Sequence, residues 1–184
     1  MEAVSNIIQN VIALSKTRIF LIVAIDGMPG GGKSTLAKHF LRANPDIQII
    51  KTDSFFDFNT NQNDLKRLHQ VLSDIRSGKT AHFSIYDWSL KKNVQAKSIE
   101  PKGIILVEGI CSLDTNLVHF YDYKIWVDCP PDIGMKRALS RDKGANRELW
   151  ELKWIPETID YINTQHPDKK ADTVISAANI PVFI

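Results

Sequence analysis

The chain has 184 residues, 43% of them hydrophobic and 24% charged, with a formal net charge of +2. A chain of that length suits one domain that buries roughly 70% of its unfolded surface and needs no disulfide or metal staple. The composition excludes disorder, collagen and coiled coil, and the charge is too small to point to nucleic acid or a membrane surface.

Val4, Ile7, Ile8, Val11 and Leu14 recur at helical spacing and predict an amphipathic helix over 3–15. Ile19–Asp26 follows, too continuously apolar for a half-exposed strand and suited to a central parallel one. A glycine-rich turn leads into a helix over Lys33–Arg42, with Leu36, Ala37, Phe40 and Leu41 as its buried stripe, ended by Asn44-Pro45. Ile47–Lys51 is a second strand, 52–63 a polar and aromatic loop, and Leu65, Leu68, Leu72 and Ile75 a helix that stops at Gly78. Residues 79–102 alternate weakly and are expected to hold short strands or an excursion over the sheet.

Ile104–Glu108 and Lys124–Asp128 are further buried strands, and Pro130-Pro131-Asp132 opens a helix to about Asp142. A charged stretch, 141–148, precedes a tryptophan-rich helix that Pro156 kinks or restarts. The last strand falls near Thr173–Ile175, and Ile180–Ile184 is a candidate edge strand. Alternating strands and helices predict an α/β fold with a mostly parallel five-stranded sheet covered on both faces. Ligands of such sheets bind beyond the carboxyl ends of the strands.

One of those ends carries Gly27-Met28-Pro29-Gly30-Gly31-Gly32-Lys33-Ser34, followed by Thr35. This matches G-x-x-x-x-G-K-[ST], the P-loop, in the required setting between a strand and a helix. Glycines let successive backbone N–H groups turn inward around phosphate oxygens, and the helix N-terminus adds free donors and its dipole. Lys33 is expected to reach the β- and γ-phosphates of ATP, and the Ser34 hydroxyl to hold Mg²⁺. The strand ending Leu106-Val107-Glu108 supplies a second candidate metal ligand, Glu108.

Asp53 follows the second strand and is the candidate base for an acceptor hydroxyl. Phe55 and Phe56 beside it are expected to keep water out, while Asp57 suits a turn cap. Residues 133–147 hold five cations (Lys136, Arg137, Arg141, Lys143, Arg147) against one acid, Asp142. Such a basic segment predicts a small helical lid, about 141–150, that neutralises transition-state charge, with Arg137 and Arg141 on one helix face. Trp88 is a candidate stacking surface for a planar acceptor; Trp150 and Trp154, at helical spacing, read as core. The five histidines show no metal-ligand spacing.

Together with the P-loop, Lys51-Thr52-Asp53-Ser54-Phe55-Phe56, Ile85-Tyr86-Asp87-Trp88, Leu106-Val107-Glu108-Gly109 and Arg137-Ala138-Leu139-Ser140-Arg141-Asp142 resemble the uridine kinase and phosphoribulokinase family of P-loop kinases. Trp150, Trp154, Pro156 and Tyr161, with the ending at 167–175, are similar to its short bacterial uridine-kinase-like members. The resemblance covers roughly residues 5–176 and implies a P-loop NTPase fold. It implies an ATP- and Mg²⁺-dependent transfer of phosphate to a hydroxyl of a small, nucleoside-like metabolite. It also implies that Asp53 is the general base, that Tyr86 lines the acceptor pocket and that Arg141 is a lid arginine on the phosphates. Arg147 falls one residue off the spacing of a second lid arginine. After Tyr86-Asp87-Trp88 the family's uridine kinases place a histidine and then an arginine, where this chain has Lys91 and Asn93.

The expectation is a single kinase domain over 1–184 whose partners are ATP and a small-molecule acceptor, with homo-oligomer formation left open. The two cysteines, Cys111 and Cys129, sit in no paired motif, as expected of free thiols in a reducing cytoplasm. The longest apolar stretch, Ile19–Ile25, is far below the roughly 20 residues of a bilayer span, and the N-terminus does not read as a secretion signal, so no membrane partner is expected. Alternatives are a kinase of another small alcohol (a sugar phosphate, pantothenate or nicotinamide riboside) and a non-catalytic ATP-binding regulatory module. Asp53 together with Glu108 argues against the module, since binding alone needs no acceptor-side base.

Overall fold

A computed structural model describes residues 2–182. In chain order the elements are α1 (Glu2–Ser15), β1 (Phe20–Gly27), α2 (Lys33–Ala43), β2 (Gln48–Lys51), β3 (Phe56–Asp57), β4 (Gln62–Asn63), α3 (Leu65–Arg76), β5 (Ala81–Asp87) and β6 (Lys92–Ile99). They continue with β7 (Gly103–Glu108), β8 (Tyr123–Asp128), α4 (Pro131–Arg141), α5 (Arg147–Leu149), α6 (Ile155–Gln165), α7 (Pro167–Lys170) and β9 (Thr173–Ser176). A π-helical turn, Trp150–Trp154, joins α5 to α6.

Five strands form one parallel sheet in the order β2-β7-β1-β8-β9. The continuous apolar runs are explained by what covers them. Leu21, Val23 and Ile25 of β1, with Leu106, Ile125 and Val127, join the buried stripes of α1 and α2 in one core. Ile22 and Ala24, with Ile105, Val107 and Trp126, join the stripe of α3 in the other. Strand side chains alternate faces, so a sheet covered on both sides must be apolar at every position. Phe40, fully buried in the first core, would cost about 3–5 kcal/mol if cut to alanine.

Two segments are more ordered than their sequence predicts. Residues 52–63 fold as a 3₁₀ turn, Thr52–Phe55, followed by the β3–β4 hairpin. Residues 81–99 form a longer antiparallel hairpin, β5–β6, apart from the main sheet. A register irregularity between Ser84 and Ile85 breaks its period-two pattern, which is why the strands read weakly. Pro156 does restart a helix, at the second position of α6 after the π turn.

At the C-terminus, residues 180–182 are not in a strand, and Phe183 and Ile184 lie outside the described residues. The expected edge strand is therefore absent over 180–182; buried Ile180 instead packs near Gly32. No helix among the described residues is long and apolar enough to cross a membrane.

Candidate active site

Parallel pairing aligns the carboxyl ends of the central strands, so Ile25 of β1 and Lys51 of β2 both register with Glu108 of β7. The chain from β1 into α2 wraps above them as the P-loop. Gly30 has φ +67°, and a Cβ there would lie 2.2 Å from the Gly134 carbonyl oxygen of α4. The loop thus packs so closely on the α4 N-terminus that a side chain is excluded. Met28 is a buried core residue, so Gly27, Met28 and Gly31 can offer phosphate only their backbone.

Lys33 is buried, and its Nζ donates to the carbonyl oxygens of Gly27 and Met28, both at 2.9 Å. Burial pushes its ammonium below the ordinary lysine value, and the carboxylates of Asp26, Glu108 and Asp53 oppose that shift. The Ser34 hydroxyl lies 3.2 Å from both carboxylate oxygens of Glu108. Burial raises the Glu108 carboxyl above its usual range, with Lys33 pulling it back.

Gly109 has φ +144°, and a Cβ there would meet Thr52 Oγ1 at 1.9 Å. The glycine lets the ends of β2 and β7 close on each other, which brings Asp53 alongside Glu108. Asp53 is exposed, and its carboxylate makes no hydrogen bond or ion pair among the described residues. Asp57 caps a turn as expected, accepting from the Asn59 N–H at 2.9 Å.

Lys33, Ser34, Asp53, Glu108, Arg137 and Arg141 all line one cleft of about 1360 Å³. That exceeds the roughly 300–1,000 Å³ of a site for one small molecule. Pro29, Gly30, Gly32 and Thr35 line the same cleft. Arg141 is tied to Asp142, its Nε donating at 2.8 Å, which raises its guanidinium further. Asp142 also accepts from Trp150 Nε1 at 3.0 Å. Arg147 pairs instead with Glu151 one turn along.

The acceptor side differs from expectation at two aromatic positions. Phe55 is fully buried and stacks on Phe83 at 5.0 Å. It belongs to the core, and Phe56 lines the cleft. The 3₁₀ turn is the reason, because it rotates neighbouring side chains to different sides. Trp88 lines the cleft, nearly half exposed, against Phe56 at 4.4 Å.

Tyr86 is buried behind that pair, 5.0 Å from Phe56 and 5.1 Å from Trp88. With Lys91 and Asn93 it lines a separate hollow of about 440 Å³ on the far side of Phe56. Trp150 is buried and Trp154 half-buried, in line with their spacing, and both also reach the cleft.

Sequence reasoning gave no role to Asp26, and it met Tyr161 only as part of the family resemblance. Asp26 is fully buried below the P-loop and accepts from the Gly27 N–H (2.7 Å), the Leu113 N–H (2.8 Å) and the Tyr161 hydroxyl (2.7 Å). Burial holds its carboxyl above the ordinary aspartate value against those donors and Lys33. An acid closing an otherwise apolar strand was the available signal. The described residues contain no group of three or more His, Cys, Asp or Glu able to hold a metal ion.

The Phosphoribulokinase / Uridine kinase family profile matches residues 43–177, well over half of the chain. A uridine kinase of Macrococcus caseolyticus is 32% identical over 148 residues, 70% of each protein. A uridine kinase of Clostridium perfringens is 29% identical over 180 residues, 84% of this chain and 86% of the relative. A solved structure described as a possible uridine kinase from Bacillus stearothermophilus superimposes with a TM-score of 0.67 at 17% identity, covering 92% of this chain and 99% of that one. The profile match begins beyond the P-loop, so the phosphate-binding motif and the family match are separate observations with one meaning: the chain belongs to the phosphoribulokinase / uridine kinase family of kinases.

Proposed function

We propose that the protein transfers the γ-phosphoryl group of ATP to a hydroxyl of a small, nucleoside-like metabolite, and that residues 1–184 act as one kinase domain with a lid at about 141–150. The observation that carries this reading is the convergence of Lys33, Ser34, Glu108 and Asp53 on one cleft. Gly27 to Thr35 supply backbone donors and Lys33 a cation for the phosphates. Asp53 stands where an incoming hydroxyl must lose its proton, and with no hydrogen bond or ion pair to its carboxylate among the described residues it is free to accept one. Phe56 and Trp88 offer flat faces for a planar acceptor. Arg137 and Arg141 line the cleft from α4 and are placed to neutralise charge on the transferring group.

Ser34 and Glu108 fit Mg²⁺, since hydroxyl and carboxylate oxygens are its donors and it takes few from protein, completing its shell with phosphates and water. Bound there, the ion would neutralise charge between the β- and γ-phosphates. The reading is tested by incubating the protein with ATP, Mg²⁺ and a panel of ribonucleosides and other metabolite alcohols, and seeking phosphorylated product by mass spectrometry. Product formed by wild type and not by Lys33→Ala is the expected result; no product from any alcohol overturns it.

A second reading, a kinase for a different small alcohol, is favoured by one observation. Lys91 and Asn93 stand where the family's uridine kinases place a histidine and an arginine, and both border the smaller hollow behind Phe56.

A further inference from the structure

Tyr161 lies on α6, 135 positions from Asp26, yet its hydroxyl donates to the Asp26 carboxylate at 2.7 Å. Both residues are buried. Asp26 sits in β1 immediately before the P-loop, so this bond ties α6 to the strand that carries the phosphate site. The other end of the same helical run is tied to the β3–β4 hairpin. Lys153 Nζ donates to the Thr60 carbonyl at 2.8 Å, and Trp154 Nε1 to the Asn61 carbonyl at 3.2 Å. Gln62 Nε2 donates to Glu157 Oε1 at 3.1 Å. That hairpin begins with Phe56 of the cleft wall and follows directly on the 3₁₀ turn that holds Asp53.

We infer that Tyr161 is a positioning residue: through its bond to Asp26 it holds α6, and through α6 the acceptor-side hairpin, in fixed register with the P-loop. The inference rests on the kinase reading above for its consequence, and on the contacts alone for its mechanics. The hairpin has only two residues in each strand and is not part of the main sheet. Short isolated hairpins are marginal without packing partners, so its position depends on what it is tied to. Removing the Tyr161 hydroxyl leaves Asp26 its two backbone donors, so the P-loop keeps its support while α6 loses a directed tie to β1. A purely local role for Tyr161 would disturb only the surroundings of Asp26.

Two measurements on the full chain separate these. In Tyr161→Phe, amide hydrogen exchange over 56–63, in the ligand-free protein, should quicken by about 2- to 12-fold, the range one hydrogen bond spans. Affinity for adenylyl imidodiphosphate with Mg²⁺ should change little. With the best acceptor among adenosine, guanosine, cytidine and uridine, KM for the acceptor should rise within the same range while KM for ATP stays near wild type.

Trp154→Phe, which removes the tie at the hairpin end, should act on the same exchange. The double variant should show less than the product of the two single effects, as for residues on one path. Unchanged exchange over 56–63 in a folded Tyr161→Phe protein overturns the inference, whatever the activity. If exchange quickens but the wild type phosphorylates no alcohol, the kinase reading fails and the mechanical tie stands.

Discussion

Ser34 and Glu108 are 74 positions apart in the chain, and the Ser34 hydroxyl stands 3.2 Å from each carboxylate oxygen of Glu108. The pairing of β1 with β7 produces this contact by setting the start of α2 beside the end of β7. It leads to the first expected outcome. Glu108→Gln keeps the shape and lacks the charge. The Mg²⁺ concentration for half-maximal rate should rise by at least about 10- to 100-fold, the cost of losing even an outer-shell partner. Binding of metal-free ATP should change less, and thermal stability should not fall, since a buried carboxylate costs desolvation. A Mg²⁺ titration of the rate beside a melting curve checks this; an unchanged titration would make Glu108 purely structural.

Lys33→Ala removes the cation that the P-loop holds through the Gly27 and Met28 carbonyls. The turnover number should fall by at least about 10²–10³-fold, the cost of deleting one preorganised donor to a developing charge. Circular dichroism should show an intact fold. Near-wild-type turnover in the folded variant would remove the kinase reading.

Asp53→Asn separates base from scaffold. The side chain is exposed and makes no hydrogen bond or ion pair among the described residues, so the melting temperature should stay near wild type. Single-turnover phosphorylation should slow by about 10²–10⁴-fold, the usual contribution of a positioned base, with ATP affinity little changed by calorimetry. Full rate in the variant would place the base elsewhere.

Asp26 gives a pH dependence whose sign is fixed. Burial raises its folded pKa above the ordinary aspartate value, opposed by the Leu113 N–H, Lys33, Tyr161 and the Gly27 N–H. The folded state then binds more protons than the unfolded state between the two values. Its stability contribution is complete below the unfolded pKa and is lost as pH rises through the folded one. In Asp26→Asn that titration is gone, so the melting temperature should fall less with rising pH over this window. The raised Glu108 carboxyl is present in both proteins and cancels in the comparison. Parallel melting curves from about pH 4 to neutral would show that Asp26 ionises as it does unfolded.

Uridine and cytidine are expected to be poor acceptors, because Lys91 and Asn93 replace a histidine and an arginine and border the smaller hollow, not the main cleft. Steady-state kinetics with each nucleoside decides the matter. A kcat/KM at or above about 10⁴ M⁻¹s⁻¹, the lower end of ordinary enzymes, would show that uridine is held by other residues.

What was legible in the sequence is what one segment enforces alone. The buried strands announced themselves because a sheet covered on both faces needs an apolar side chain at every position. The P-loop did so because its turn takes backbone angles that favour glycine, with φ +67° at Gly30 and +101° at Gly32. Asn44-Pro45 and Gly78 marked helix ends for equally local reasons. Tertiary structure alone decided the rest. Whether Phe55 or Phe56 faced the cleft depended on a 3₁₀ turn, and the β5–β6 strands hid behind a register irregularity. That Tyr161 serves Asp26 across 135 positions has no local signature. A tyrosine on an amphipathic helix reads as core until the fold sets a buried carboxylate opposite its hydroxyl, and only the sheet order determines which strand end that is.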